Sequence, residues 1–508
     1  MSSIARILLS NARHHANSTA VESQRGTLTW SQLAARAGAL AAGLLERGIR
    51  PGDRVAIVSS NCPEFLELFY ACAGSGLIVA PCGTRSHPEE LRRYFSQYIK
   101  PRVAIIGAGA EPCLGSWLED CELVVSIDSG LPGVPYADVL VEGGRLSEEV
   151  DLDAPFTIGQ TSGTTGLPKG AVITQRNALS SIFSFVAEHS LQPSGAYLIQ
   201  HPMSNVPGGP GQLFPLPKAA RTVLLPRYEP KLCMETIQRY RVTHTVLVPT
   251  MLHDLLHHPD VDRYDLSSLT GVIVGAAPVP KKLLEEAVAR LGEVFVPMYG
   301  MTESTATACV LRAPDMYPVA TQPERRLRSL GKPTAGIEVR VVHDDGADVP
   351  WDGASMGEIL LRGGNVVRRY WGDLPENQTT WTGEWLHTGD VATVDQDGFL
   401  YMADRKKDII ISGGTNVSSV EVEEVLRTHP AVDQVAVIGL PDERWGEAVT
   451  AVVVLKESAS VEAKALQDHC RQQLSGVKTP KKVIFTDALP LSGMGKILKR
   501  ELRRQYVG

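Results

Sequence analysis

Several things are scarce in these 508 residues. The eight cysteines are scattered, with no Cys-x-x-Cys pair and no Cys/His spacing of a metal module. That excludes a disulfide framework and a zinc module as expectations, and reads as reduced thiols in a cytoplasmic protein. No run of about 18 uncharged apolar residues occurs, so no membrane span is expected. Met1 to Asn17 carries Arg6, Arg13, His14 and His15 and lacks a long apolar core, so neither a signal peptide nor an anchor is expected. A basic excess is missing too. The formal net charge is −7, which argues against a general nucleic-acid partner. A local basic pocket would still admit a small anion. Neither Gly331-Lys332 nor Gly495-Lys496 is followed by Ser or Thr, so the GxxxxGK[ST] phosphate loop is absent, as is GxGxxG. There is no short-period repeat and no low-complexity tract.

What is present is a hydrophobic fraction of 43%, ample for a packed core. The length exceeds one ordinary domain and fits two to four units. Leu33, Ala37, Leu40, Ala41 and Leu44 form a helical stripe over Ser31 to Arg47. Short apolar strands follow at Val55 to Val58, Val103 to Ile106 and Leu123 to Val125. The alternation returns with strands at Thr222 to Leu225, Thr245 to Val248 and Val272 to Val274. Helices are expected at Lys231 to Tyr240, Thr250 to His257 and Pro280 to Arg290. Such alternation predicts layered α/β sheets.

Beyond about residue 330 the pattern becomes β-rich. Ile337 to Val342 and Glu358 to Leu361 read as strands, and Val391 to Val394 and Phe399 to Met402 flank a hairpin turn at Asp395 to Gly398. From Arg405 a further unit begins. Ser418 to Glu421 has capping-box spacing and opens a helix to about Arg427. Strands at Val435 to Ile438, Val449 to Leu455 and Val483 to Phe485, with a helix from Val461 to Leu474, complete a small α+β domain. The expected division is 1–404 and 405–508, with a β-rich subdomain over about 330–404.

The most distinctive local feature is Thr161-Ser162-Gly163-Thr164-Thr165-Gly166-Leu167-Pro168-Lys169-Gly170. It lies between a strand-like Phe156 to Ile158 and a helix beginning near Gln175. Glycines let backbone N–H groups approach an anion, hydroxyls add donors and the lysine adds charge. That combination suits a polyphosphate. A flexible surface loop is the plain alternative, against which the lysine and its placement weigh.

This segment resembles the phosphate loop of the adenylate-forming superfamily: acyl-CoA synthetases, adenylation domains of peptide synthetases and firefly-type luciferases. Further motifs follow in the family's order. Tyr299-Gly300-Met301-Thr302-Glu303 resembles its aromatic-Gly-x-Thr-Glu segment, and Thr388-Gly389-Asp390 its ribose motif. Asp404 to Asp408 with Ser412-Gly413-Gly414 resembles its hinge and the loop after it. Pro490 to Lys496 resembles its C-terminal lysine motif. The resemblance spans essentially the whole chain and is nearest to acyl- or aryl-CoA ligases.

It implies a large N-terminal domain of layered α/β subdomains with a small β-rich subdomain, and a small mobile C-terminal lid. It implies ATP, Mg2+ and coenzyme A or a carrier-protein phosphopantetheine, acting on a small carboxylic acid. Lys496 would bridge the carboxylate and the α-phosphate, since donors aimed at developing charge are worth about 10²–10³ in rate. Lys499, Arg500, Arg503 and Arg504 are expected as a solvated basic face. Glu303 would meet magnesium, which prefers oxygen ligands. Thr302 would bond the adenylate phosphate and Tyr299 would lie on the adenine, a core aromatic being the alternative for Tyr299. Thr161, Ser162, Gly163, Thr164, Thr165 and Lys169 would hold ATP, with Gly275, Ala276, Ala277, Gly300 and Met301 beside the nucleotide. Asp390 would accept from the ribose hydroxyls and Arg405 would add a donor. Read alone, Asp390 is a turn residue after Gly389. Lys407 falls at the hinge; Ser412, Gly413 and Gly414 would line the thiol tunnel, where bare backbone leaves room for a pantetheine arm. A Gly-Gly turn is compatible with that role. The acyl pocket would draw on Asn205, Val206, Gly208, Val248, Gly275, Ala277 and Met301, whose small or apolar character favours a medium-sized apolar or aromatic acid.

Three departures stand out. Asn205 replaces the histidine of an aromatic-His pair common in acyl- and aryl-CoA ligases. No acid lies between His201 and Gln212, which disfavours an α-amino acid. Gln160 precedes the phosphate loop where an aromatic or apolar residue is more usual. A carrier-loading enzyme, a luciferase-like oxygenase and a non-catalytic nucleotide-binding protein remain as alternatives, and a homodimer is carried by the resemblance alone.

Overall fold

The computed structural model describes residues 2–161, 168–204, 210–275, 279–413, 415–442, 444–491 and 497–507. The chain packs as two compact units. One is Met1–Val339 with Leu361–Leu386, the other Arg340–Leu360 with His387–Gly508. These packing units do not share the boundary expected at 404/405.

The larger unit holds a seven-stranded and a nine-stranded sheet. In the first, Arg54–Val58 pairs in parallel with Val103–Ile106 and Ile78–Cys82, and strand β1 (Pro155–Thr161) pairs with antiparallel β2 (Lys169–Thr174) at its edge. Helix α1 (Gln175–His189) follows, capped by Thr174, whose hydroxyl and backbone exchange bonds with Asn177. In the second sheet β3 (Ala196–Ile199), β4 (His244–Leu247), β5 (Gly271–Val274) and β6 (Phe295–Tyr299) run parallel. The two-residue period divides each strand between two cores. Val55 and Ile57 enter one apolar cluster with Tyr197, Ile199 and Ile273 of the other sheet; Ala56 and Val58 enter another. A sheet covered on both faces carries near-continuous apolar strands, as these do.

In the smaller unit, β7 (Trp385–Val394) and β8 (Leu400–Arg405) form the expected hairpin, with Val394 opposite Leu400 and Asp390 opposite Arg405. Strand β9 (Ile410–Ser412) joins a sheet built on the long hairpin of Val432–Asp442 and Gly446–Leu455. Helix α2 (Ser419–Arg427) starts as expected, with the Ser418 hydroxyl accepting from the Glu421 amide at 3.1 Å. Val435 and Val437 face one core with α2; Ala436 and Ile438 face another with Leu502 of α3 (Lys499–Tyr506). One expectation fails here. Lys499 and Arg503 are not a solvated face: Lys499 pairs with buried Glu423 at 2.7 Å and Arg503 with Asp408 at 2.9 Å. Leu502 drives α3 into the core, and the neighbouring cations meet acids there.

Candidate active site

In the larger unit the two ends of the motif from Thr161 to Gly170 lie on the paired strands β1 and β2. Thr161 stands opposite Lys169, the last described pair before residues 162–167. Ser162, Gly163, Thr164 and Thr165 therefore lie outside the described residues, as do Asn205, Val206, Gly208, Ala276, Ala277, Gly414 and Lys496. Lys169 does not point into open solvent. Its ammonium lies 3.0 Å from Glu376 and 5.0 Å from the centre of the Tyr370 ring. The Glu376 carboxyl is held below its usual range by its own backbone N–H and by Lys169.

Strands β3 to β6 run parallel, and ligands of open α/β sheets gather at such strands' carboxyl ends. The motif Tyr299 to Glu303 leaves the end of β6 there. Gly300 is required by close packing, since a Cβ would fall 1.7 Å from the Ala306 carbonyl. The chain then folds back, with Ala308 N–H on the Tyr299 carbonyl at 2.8 Å and positive φ at Thr305 and Ala306. Asn365 clamps this turn, its amide donating to the carbonyls of Ser304 (2.9 Å) and Thr307 (2.7 Å). Tyr299 is nearly buried, and Thr302 Oγ1 reaches the Gln160 carbonyl at 3.5 Å, so the turn meets the phosphate-loop hairpin. Glu303 is buried, and Tyr370 donates to its Oε1 at 2.8 Å. Burial, then the Glu303 charge, pushes the Tyr370 phenol up, so it stays protonated and donating.

No group of three or more His, Cys, Asp or Glu that could hold a metal occurs among the described residues. A cation at Glu303 would meet one protein carboxylate and take its other ligands from phosphate and water. That is the usual arrangement for magnesium and fits this donor set.

Register places Val246 beside Ile273, and alternation puts Gly275 and Met298 on the same face. Val246, Val248 and Met298 are only partly covered, while Gly275 is buried, 3.4 Å separating its would-be Cβ from the Met298 carbonyl. Val246 and Met298 were not anticipated. Their alternation is visible in the sequence, but which face stays open depends on the neighbouring strands.

In the smaller unit Asp390 is not a turn residue. It sits within β7, 1% exposed, and its Oδ1 meets Arg405 Nε at 2.6 Å. Gly389, at φ +71°, donates to Glu358 Oε1 at 3.0 Å, and Glu358 also takes Lys406 at 3.2 Å. Lys407 is exposed. Ser412 is buried, and Gly413 has φ +56°, where an added Cβ would meet the Trp445 ring at 3.0 Å.

Sequence reading missed Asn365, Tyr370 and Glu376. Gly363-Gly364-Asn365 reads as a simple turn, and an aromatic pair at Tyr370-Trp371 reads as core. Only the pairing of this segment with β2 reveals them: Trp371 N–H bonds the Gly170 carbonyl at 2.7 Å and Val172 N–H that of Arg369 at 3.1 Å.

The AMP-binding enzyme family model matches residues 8–371, and that of the AMP-binding enzyme C-terminal domain matches 421–496. A feruloyl-CoA synthase of an Amycolatopsis species is 36% identical over 498 residues, 97% of each chain. Indoleacetate–CoA ligase of Aromatoleum aromaticum is 34% identical over 96% of this chain and 94% of its own. Among solved structures, o-succinylbenzoate CoA synthetase of Bacillus subtilis, in complex with its acyl-adenylate intermediate, superposes with a TM-score of 0.85 at 28% identity, covering 99% of this chain and 98% of its own.

Proposed function

Because the chain belongs to the AMP-binding enzyme family, we propose how its residues join a carboxylic acid to coenzyme A through an acyl-adenylate. The reaction class is that of an AMP-forming acid–thiol ligase. ATP and a carboxylate repel each other, so the first step needs positive charge and oriented donors. Lys169 and the loop it closes hold the phosphates. Thr302 turns its hydroxyl from the long bond to Gln160 onto the adenylate phosphate. Glu303 would hold magnesium, which supplies charge neutralisation on the polyphosphate. Tyr299 lies against the adenine. Asp390 accepts from the ribose hydroxyls while keeping Arg405, since a carboxylate offers about four acceptor positions. Lys496 bridges the attacking carboxylate and the α-phosphate as pyrophosphate leaves. In the second step the thiolate displaces AMP from the acyl carbon, passing the loop of Ser412, Gly413 and Gly414. Residues 405–508 act as the mobile lid and Lys407 as its pivot.

The acid is aromatic or apolar and of medium size. The partly covered row Val246, Val248 and Met298 supports this, and the names of the relatives agree with it. The protein works in the cytoplasm, where coenzyme A is present and its eight free cysteines stay reduced. A homodimer rests on the resemblance and is read by sedimentation velocity.

The observation that carries the reading is the meeting, in one unit, of the Lys169 hairpin with Thr302 and Glu303. The test is pyrophosphate release from Mg-ATP over fatty, aryl and amino acids, with and without coenzyme A. Aryl-acid-dependent release with an acyl-CoA product supports it. Release with no acyl-CoA points to a carrier-protein thiol, and no release from any acid overturns it.

A further inference from the structure

The Tyr370 side chain touches both charged groups on which the adenylation reading rests. Its hydroxyl donates to Glu303 Oε1 at 2.8 Å, and its ring face receives the Lys169 ammonium at 5.0 Å. The ring is 5% exposed and fixed from several sides. Trp381 packs edge-on at 5.1 Å, Asn377 Oδ1 accepts the Tyr370 N–H at 2.7 Å, and a backbone bridge joins Tyr370 to Ala171 of β2. Glu376, on the same segment, holds Lys169 at 3.0 Å. A long lysine and a glutamate have many rotamers; here one rigid aromatic fixes where both end.

We propose that Tyr370 is a positioning residue for adenylation, setting the Glu303 carboxylate and the Lys169 ammonium on a single ring. This rests on the reading of Glu303 and Lys169 given above. A core role needs only the ring, which phenylalanine supplies. The hydroxyl separates the two roles, because its partner is the acid that would hold magnesium. Groups that orient a metal-holding residue typically cost 10- to 100-fold in metal affinity when removed.

The experiment titrates ATP by calorimetry, in Mg2+ and in EDTA, on wild type, Tyr370→Phe, Tyr370→Leu, Glu303→Gln and the Tyr370→Phe/Glu303→Gln double variant. It adds thioester formation from a synthetic acyl-adenylate. Tyr370→Phe is expected to raise the Mg2+ needed for half-maximal ATP binding by about 10- to 100-fold. Its ATP affinity in EDTA and its thioester step stay at wild-type levels. Tyr370→Leu also weakens ATP in EDTA, because Lys169 loses the ring. Glu303→Gln shows the same magnesium shift, and the double variant adds nothing to it. A Tyr370→Phe with wild-type magnesium dependence, or one equally damaged in both half-reactions, overturns the inference. A wild type whose ATP binding ignores Mg2+ defeats the underlying reading of Glu303 instead.

Discussion

His201 carries two ring nitrogens with no hydrogen-bond partner among the described residues and is 8% exposed. Burial lowers its pKa to about 4 from an ordinary 6.5. Above pH 6.5 both folded and unfolded chains hold it neutral and nothing is lost. As the pH falls below 6.5 the unfolded chain takes up a proton that the folded chain refuses until about pH 4, so folding weakens across that window. Between pH 7 and 5 the loss from this one residue is about 2 kcal/mol. Urea unfolding of the larger unit at the two pH values checks it, and His201→Phe should flatten the dependence by that amount. At this scale the sequence singles out Glu303 and Asp390 through their motifs, and both carboxylates are buried, as acids seldom are unless partnered. It misled where charge alone was read. Lys499 and Arg503 resemble their exposed neighbours Arg500 and Arg504, and only their acidic partners on distant elements distinguish them.

Lys499 anchors the first turn of α3 to Glu423 of α2, directly after a short closure in which Ile497 bridges Leu491 and Leu498 N–H bonds the Pro490 carbonyl at 2.8 Å. In sequence, Lys496 is the residue before Ile497. Breaking a buried pair costs about 3–5 kcal/mol, and Arg427 remains beside Glu423, so Lys499→Met should cost about 3 kcal/mol. Hydrogen exchange over α3 should quicken by the matching factor, and adenylation should fall more than thioester transfer. Elements with a one-sided apolar stripe or a cap were readable to within a few residues: Ser31 to Arg47 is Trp30–Glu46, and Pro280 to Arg290 is Lys281–Leu291. Pro63–Ser75 escaped. It is buried almost all round, from Phe65 to Gly74, so it shows no polar face to set a period. Strand order was equally invisible, because neighbours such as β3 and β4 are separated by a full crossover and pair non-locally.

Across the whole molecule, the proposed mechanism gives the two half-reactions to different residues. Gly413 cannot take a side chain without strain at φ +56° and a contact with Trp445. Gly413→Leu should therefore slow thioester formation about a hundredfold while sparing adenylation, as a displacement of about 1 Å can do. Lys496→Ala should abolish adenylation and spare thioester formation from a pre-made adenylate. Equal damage to both steps by each variant would contradict the assignment. The motif order made the reaction class legible along the full chain. The packing units were not legible, since 340–360 and 387–404 group with the C-terminal residues through long-range contacts such as Lys406 with Asp344 and Glu358.

In the proposed mechanism one chain makes an acyl-adenylate and then discharges it to a thiol. A rapid-quench single turnover with α-labelled ATP and an aryl acid follows both steps. Without coenzyme A the label should accumulate as acyl-adenylate, and adding coenzyme A should convert it to AMP with one acyl-CoA per adenylate consumed. Labelled ADP, or an adenylate that persists when coenzyme A is added, would rule out a two-step acid–thiol ligase.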